Sequence, residues 1–134
     1  MRTRAAALIV VLLVVPGCAS GAGPDSATNR ACKELAAAAA SQEQPLAAAT
    51  EHGIETLTPH QTEQLAGYSD QLRVIATDAA GGALATTLAG LDDAADAWDL
   101  AWTNGDVAGL VSVAGLVSQD LDACRTAGVA IKTT

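Results

Sequence analysis

The 134-residue chain has few aromatic side chains, and this scarcity limits how a core can be built. Phenylalanine is absent, the one methionine is the first residue, and aromatic residues make up 2% of the chain. The three that occur are Tyr68, Trp98 and Trp102. Leu, Val and many Ala must therefore fill the interior. Because small side chains bury little apolar area, we expect the fold to rely on a covalent link.

Basic side chains are also few. Seven Lys and Arg stand against fifteen Asp and Glu, which gives a net charge of −8. Two of the seven, Arg2 and Arg4, lie in an N-terminal segment that we predict is removed. The mature chain then has five basic and fifteen acidic residues and a net charge of −10. Because an acidic surface repels phosphate backbones, we predict that nucleic acid is not a partner.

Spacings typical of catalytic and metal sites are missing from the sequence. It has neither a His-x-x-x-His or Cys-x-x-Cys pair for a metal nor a Gly-x-Ser-x-Gly element for a nucleophilic serine. Asp92, Asp96 and Asp99 follow one helix face, but calcium sites favour loops that wrap the ion, so a solvated face explains the three carboxylates better. We predict that the protein is not an enzyme and has no cofactor or metal.

The first eighteen residues have the layout of a bacterial export signal. Arg2 and Arg4 precede an apolar run from Ala5 to Val15 that is too short to span a bilayer. The next segment, Val15-Pro16-Gly17-Cys18, resembles the lipobox of bacterial lipoproteins, which usually has Ala, Ser or Thr where Pro16 stands. The resemblance implies that residues 1–17 are a signal peptide and that Cys18 is lipidated.

Such an anchor would hold the chain on the extracytoplasmic face of the cell membrane. Two acyl chains attach a protein stably, whereas a protein with a single acyl chain dissociates and rebinds. The alternative is a secretory signal cut near Ala19 or Ala22, which leaves a soluble protein. Residues 18–28 are small and turn-forming, so we predict a flexible tether there. Residues 29–128 are predicted as a helical domain and residues 129–134 as a C-terminal tail.

The domain is predicted to be all-α, because Ala, Leu, Gln and acidic residues predominate without β-type alternation. Short connections favour an up-down-up-down antiparallel four-helix bundle. The first expected helix begins at a Thr28 or Asn29 cap, has a kink or restart at Pro45 and ends at Gly53. The second begins at a Thr58 capping box and ends at Ala79 or Ala80, and the third runs from Ala83 to Thr103. The fourth begins at an Asp106 cap and ends at about Ala127, with Gly128 as terminator.

The three cysteines divide into one lipid site and one pair. With Cys18 assigned to the anchor, Cys32 lies near the start of the first helix and Cys124 near the end of the last. These two helix ends meet in an up-down-up-down bundle, and both cysteines fall on inward seams. Because disulfides persist outside the cytosol, we predict a disulfide that joins Cys32 to Cys124.

Five residues are candidates for a small-ligand site at the membrane-distal end of the bundle: His52, His60, Tyr68, Trp98 and Trp102. An apolar pocket there could hold a lipid, and His or Tyr could serve as axial ligands to haem. The competing interpretation is structural. Tryptophans at helical spacing are typical of a core, a histidine in a last turn is favoured by the helix dipole, and His60 has polar neighbours.

In its signal and composition the chain resembles the small Ala-rich lipoproteins of actinobacteria, a resemblance that implies an envelope location and no particular activity. We predict a non-enzymatic binding or interaction module at the cell envelope. The apolar residues of the fourth helix extend beyond its inward-facing seam, which favours contact with an envelope protein or a second copy of the chain. The alternative is a haem or lipid carrier, which resembles the secreted helical haem-binding proteins of mycobacteria in size, helicity and a single disulfide.

Overall fold

The computed structural model describes residues 24–131. Cys18, the predicted signal peptide, most of the predicted tether and residues 132–134 lie outside this range. Within it the chain forms helices and turns without strands, so the all-α prediction is confirmed for these residues. The elements are α1 (Ser26–His52), a 3-10 helix (Ile54–Thr56), α2 (Pro59–Ala66), α3 (Tyr68–Asp78), α4 (Ala85–Ala89), α5 (Leu91–Thr103) and α6 (Val107–Thr126).

The predicted second and third helices are each interrupted at a glycine. Gly67 separates α2 from α3, and Gly90 separates α4 from α5. Glycine costs about 1 kcal/mol relative to alanine inside a helix, which favours a break at both positions. The spacing of apolar residues continues past both glycines, so the sequence pattern did not predict these breaks. Four helical segments result, formed by α1, by α2 with α3, by α4 with α5, and by α6.

Two predicted helix starts are confirmed. Thr58 and Gln61 form a reciprocal capping box, in which the Gln61 N–H donates to Thr58 Oγ1 at 3.1 Å and the Thr58 N–H donates to Gln61 Oε1 at 2.9 Å. Asp106 caps α6 by accepting from the Gly109 N–H at 3.0 Å. Just before it, Gly105 ends α5 with a φ of +65°, a conformation that glycine adopts without strain.

The predicted cap of α1 is wrong. Asp25, rather than Thr28 or Asn29, caps the helix and accepts from the Thr28 N–H at 2.9 Å. It also accepts from the Ala83 N–H at 2.9 Å, and these two bonds lower the pKa of its carboxyl. The backbone at Gly82 lies so close to the start of α1 that a Cβ on Gly82 would stand 2.7 Å from Thr28 Oγ1. Residues 26–28, predicted as tether, therefore belong to α1.

We predicted a kink or a restart at Pro45, and helix α1 continues through this residue without restarting. A proline lacks the N–H that would bond to the carbonyl four residues earlier, which here belongs to Ser41. Gln64 of α2 supplies the missing donor, since its Nε2 lies 3.3 Å from that carbonyl oxygen. A side chain from another helix thus replaces the bond that Pro45 removes.

Residues 129–131, predicted as part of a C-terminal tail, pack on the domain. After α6, the Gly128 N–H donates to the Arg125 carbonyl and the Val129 N–H donates to the Cys124 carbonyl, both at 3.0 Å. This pair of bonds is a Schellman motif. It turns Val129 into the core, where the residue is 3% exposed, and Ile131 packs against the same core.

The Cys32–Cys124 disulfide that the sequence predicts is present. Both cysteines are fully buried, their Cα atoms are 5.9 Å apart, and 92 residues of sequence separate them. The bond joins α1 to α6. Further contacts link α6 with α5, α5 with α3, and α3 with α1, so the packing order is a closed ring of helices.

The acidic stripe of α5 is partly paired with α3. Ser69 donates to Asp99 at 2.5 Å, and Arg73 lies 2.7 Å from Asp99 and 2.9 Å from Asp96. The hydrogen bonds from Ser69 and Arg73 lower the pKa of the Asp99 carboxyl. Two of the three stripe carboxylates therefore hold α5 to α3, which a purely solvated face would not do.

Candidate functional site

The predicted ligand-site residues separate into a buried pair and exposed histidines. Tyr68 and Trp98 meet edge to face with ring centroids 4.6 Å apart, and both are at most 1% exposed. Trp98 Nε1 donates to the Leu65 carbonyl at 2.6 Å, and burial raises the pKa of the Tyr68 hydroxyl. Trp102 is half-buried and packs against the core. These aromatic residues are therefore structural, as their helical spacing favours.

The two histidines lie at the surface. His52 is the last residue of α1, its side chain is 68% exposed, and its Nε2 lies 3.5 Å from a Glu51 oxygen. His60 is exposed near the start of α2, where it lines a cavity together with Gln44 and Gln61. The structure therefore does not bury either histidine beside the aromatic pair. Among residues 24–131, no group of three or more His, Cys, Asp or Glu is arranged to hold a metal ion.

A groove of about 700 Å³ lies between α1 and α6, and we call it the α1–α6 groove. Seven residues of each helix line it at helical spacing, so one face of each helix forms one wall. The lining residues are Ala39, Gln42, Glu43, Leu46, Ala47, Thr50 and Glu51 of α1 and Val111, Ala114, Val117, Ser118, Leu121, Asp122 and Arg125 of α6.

The α1–α6 groove has an apolar floor. Leu46 and Val117 are buried, and Ala39, Ala114 and Leu121 are partly buried against the core. Alanine has too short a side chain to fill the space between two helices. The small residues of an alanine-rich chain, which weaken its core, therefore also keep this groove open.

Gln42 is an unusual residue in this floor because it is polar and 6% exposed. Its Nε2 donates to the Ala39 carbonyl at 3.2 Å, but its Oε1 is buried and has no hydrogen-bond partner among the described residues. A buried acceptor without a donor costs about 1–3 kcal/mol. Arg125, on the opposite wall of the groove, likewise has a buried donor, Nε, without a partner among the described residues.

The rim of the groove is acidic. It carries three carboxylates, those of Glu43, Glu51 and Asp122, and one guanidinium, that of Arg125, so its formal charge is −2. Arg125 Nη1 donates to Asp122 at 2.8 Å. The groove therefore combines an apolar floor with a charged rim.

Sequence reasoning did not locate this groove. Two signals in the sequence point toward it: a glutamine at an inward seam position of the first helix, and an excess of apolar residues on the last. Val111 and Leu116 of α6 are 45% and 49% exposed, although other residues of the helix pack into the core. The size and position of the groove follow from packing, which the sequence pattern does not specify.

Within residues 24–131, α6 is the one helix with the length and composition to cross a membrane. In the fold, 28% of that stretch is buried, and Leu110, Val113, Val117 and Cys124 form its core face. Core packing accounts for the apolar residues on that face, whereas Val111 and Leu116 are apolar and exposed.

The described residues define a small, all-α, disulfide-linked domain with a groove along its first and last helices. No protein-family model, no curated protein and no solved structure matches the chain. Any function must therefore be inferred from the groove and from the predicted anchor.

Proposed function

We propose that the protein is a cell-envelope lipoprotein that acts as a non-enzymatic binding module, held on the outer face of the membrane through Cys18. Its docking surface is the α1–α6 groove. The observation that carries the proposal is Gln42, a buried acceptor without a partner among the described residues, on the floor of an apolar groove. Gln42 and Arg125, which line the groove from its two walls, both carry such an unpartnered buried atom.

The entry point of the chain supports this placement. Pro24 Cδ lies 3.6 Å from the position that a Cβ on Gly128 would occupy, so the chain enters beside the end of α6. Cys18 precedes Pro24 by six residues, which reach about 20 Å at most when extended. The groove begins near this entry, at Arg125 of α6, and extends along α1 from Ala39 to Glu51 toward the other end of the domain.

We also propose that the four helical segments run up, down, up and down. In such an arrangement, residues early in one segment contact residues late in the segment beside it. The supporting pairs are Arg30 with Asp78, Ser41 with Gln64, Ser69 with Asp99, Arg73 with Asp96, and Cys32 with Cys124.

Site-specific photo-crosslinking in intact cells tests the binding function. A benzophenone side chain replaces Val111, which lines the groove and is 45% exposed. The matched control carries the same group at Leu100 of α5, which is 65% exposed and does not line the groove. We expect a discrete protein adduct from position 111 and none from position 100, because only the first probe reaches a docked partner.

The other outcomes separate the alternatives. An adduct at position 111 that contains a lipid rather than a protein would favour the carrier function. Equal adducts at both positions would indicate contact without a site. The absence of any adduct at position 111 would overturn the proposal.

A further inference from the structure

Two acidic side chains meet where the first half of α1 packs against the end of α3. Glu34 belongs to α1, and Asp78 is the last residue of α3. Their carboxyl groups are close enough to share a hydrogen bond, and we call them the Glu34–Asp78 pair. An ionised carboxylate accepts hydrogen bonds and has no donor. A bond within the pair therefore forms only when one of the two carboxyls holds a proton.

The surroundings of the pair offer little that could replace this proton. Glu34 Oε1 is buried and has no hydrogen-bond partner among the described residues. Arg30 Nε lies 3.8 Å from Glu34 Oε2 and 4.0 Å from Asp78 Oδ2, which is beyond hydrogen-bond distance, and the Arg30 side chain is 70% exposed. Because solvent screens such an exposed ion pair, it contributes little. One screened cation therefore faces two carboxylates.

Other charged groups on the elements that pack against α1 do not offset the pair. On α3, Arg73 is bound to carboxylates of α5, and Asp70 adds negative charge to the same α1–α3 groove that Glu34 lines. On α6, Asp122 and Arg125 pair with each other in the α1–α6 groove, which Glu34 does not line. Helix α2 meets α1 about two turns farther along, and the titratable residues of α2 and the 3-10 helix are Glu55, His60 and Glu63.

This environment favours the protonated form of Glu34. The hydrogen bond with Asp78, followed by burial and by the charge of Asp78, raises the pKa of the Glu34 carboxyl above its ordinary value of 4.5, and Arg30 only partly opposes the rise. A carboxyl whose pKa is higher in the folded than in the unfolded chain stabilises the fold when it is protonated. This stabilisation is complete below the unfolded pKa and is lost as the pH rises through the folded pKa.

We propose that the Glu34–Asp78 pair is a proton-dependent link between α1 and α3: in mild acid one shared proton joins the two helices, and at higher pH two ionised carboxylates repel each other. Glu34 lines a groove of about 520 Å³ between these helices, together with apolar residues such as Val74 and Ile75. The proton therefore acts on a helix contact that apolar packing leaves partly open. Mild acid thus stabilises the domain.

The opposite response belongs to other carboxyls and to lower pH. The pKa values of the Asp25 and Asp99 carboxyls are lowered by hydrogen bonds, so the stability that these groups contribute is lost only as the pH falls below the ordinary aspartate value of 3.8. The two effects therefore occupy different pH ranges and can be measured separately.

Carbon-13 NMR of the glutamate carboxyls, in the full chain held in a neutral detergent, tests for the shared proton. Glu34→Gln identifies the Glu34 resonance by its disappearance. We expect Glu34 to titrate at a higher pH than the other glutamates. Asp78→Asn should move this titration to lower pH, because asparagine is uncharged and can donate to the Glu34 carboxylate. The matched control Asp70→Asn changes a carboxylate in the same groove and should move it less.

Urea unfolding at pH 5 and pH 8 measures the effect on stability. The parent carries Asp120→Asn, because burial also raises the pKa of the Asp120 carboxyl and would add a response of the same sign. Glu34→Gln imitates the protonated pair. At pH 8 we expect it to raise the urea midpoint by about 0.2–0.5 M, a small shift because Glu34 is partly exposed, and at pH 5 to leave it nearly unchanged. Glu63→Gln, the same change at an exposed position of α2, should have no such effect.

Two results would overturn the inference. If Glu34 titrates together with the other glutamates, or if Asp78→Asn leaves its titration in place, the two carboxyls share no proton. If Glu34→Gln changes the urea midpoint equally at pH 5 and pH 8, the glutamine acts through packing rather than in place of the proton. Neither measurement involves a binding partner, so this link and the proposed docking function can fail independently.

Discussion

Replacing both Cys32 and Cys124 with alanine is expected to lower the free energy of unfolding by about 4–5 kcal/mol. The disulfide closes a loop with a sequence separation of 92 residues, and a loop of this length restricts the unfolded chain strongly. Small domains have total stabilities of about 5–15 kcal/mol, so the loss removes a large share of the total. The effect should be large here because the aromatic-poor core buries little area per residue.

Urea unfolding of the oxidised protein, the reduced protein and the double variant measures this loss. We expect the reduced protein and the double variant to unfold at similar, lower urea concentrations, since both lack the same loop constraint. A loss below about 1 kcal/mol in both would show that α1 and α6 are held together by packing rather than by the disulfide.

Replacing Trp98 with alanine is expected to cost about 3–5 kcal/mol. Trp98 is fully buried, contacts the Tyr68 ring edge to face, and donates from Nε1 to the Leu65 carbonyl. Leu65 lies in the last turn of α2, where carbonyl groups lack partners within the helix. The alanine variant therefore leaves a cavity and also removes the bond that joins α5 to the end of α2.

Trp98→Phe separates these two contributions, because it keeps an aromatic ring and removes the donor. It should cost about 1–3 kcal/mol, between the wild type and the alanine variant. Fluorescence of the remaining Trp102 reports unfolding in both variants, and Trp102→Phe, at a half-buried position, serves as the mild control. If Trp98→Ala is no more costly than Trp102→Phe, Trp98 does not organise the core.

Local signals in the sequence were sufficient to predict several elements of the fold. The Thr58 capping box and the Asp106 cap depend on residues three positions apart, so they can be recognised without the tertiary structure. The Cys32–Cys124 pair could be predicted from three features that agree: the predicted export of the chain, the order of the helices, and the inward-facing positions of both cysteines. Trp98 in the core followed from its helical spacing.

Features that depend on distant residues could not be predicted in the same way. Asp25 is selected as the cap of α1 partly by a bond to Ala83, 58 residues away. Gln64 satisfies the carbonyl that Pro45 leaves free, 23 residues away. The α1–α6 groove depends on how closely two helices approach, and that distance is decided by packing over the whole ring of helices.

The antiparallel packing of α1 against α6 is the central claim, since both the groove and the closed ring depend on it. Spin-label distances test it directly, with one label at Ala108 of α6 and a second at either Glu51 or Lys33 of α1, all three being exposed positions. With the helices antiparallel and joined by the disulfide, we expect about 15 Å from 108 to 51 and about 25 Å from 108 to 33. A longer distance to position 51 than to position 33 would contradict the packing and with it the proposed docking surface.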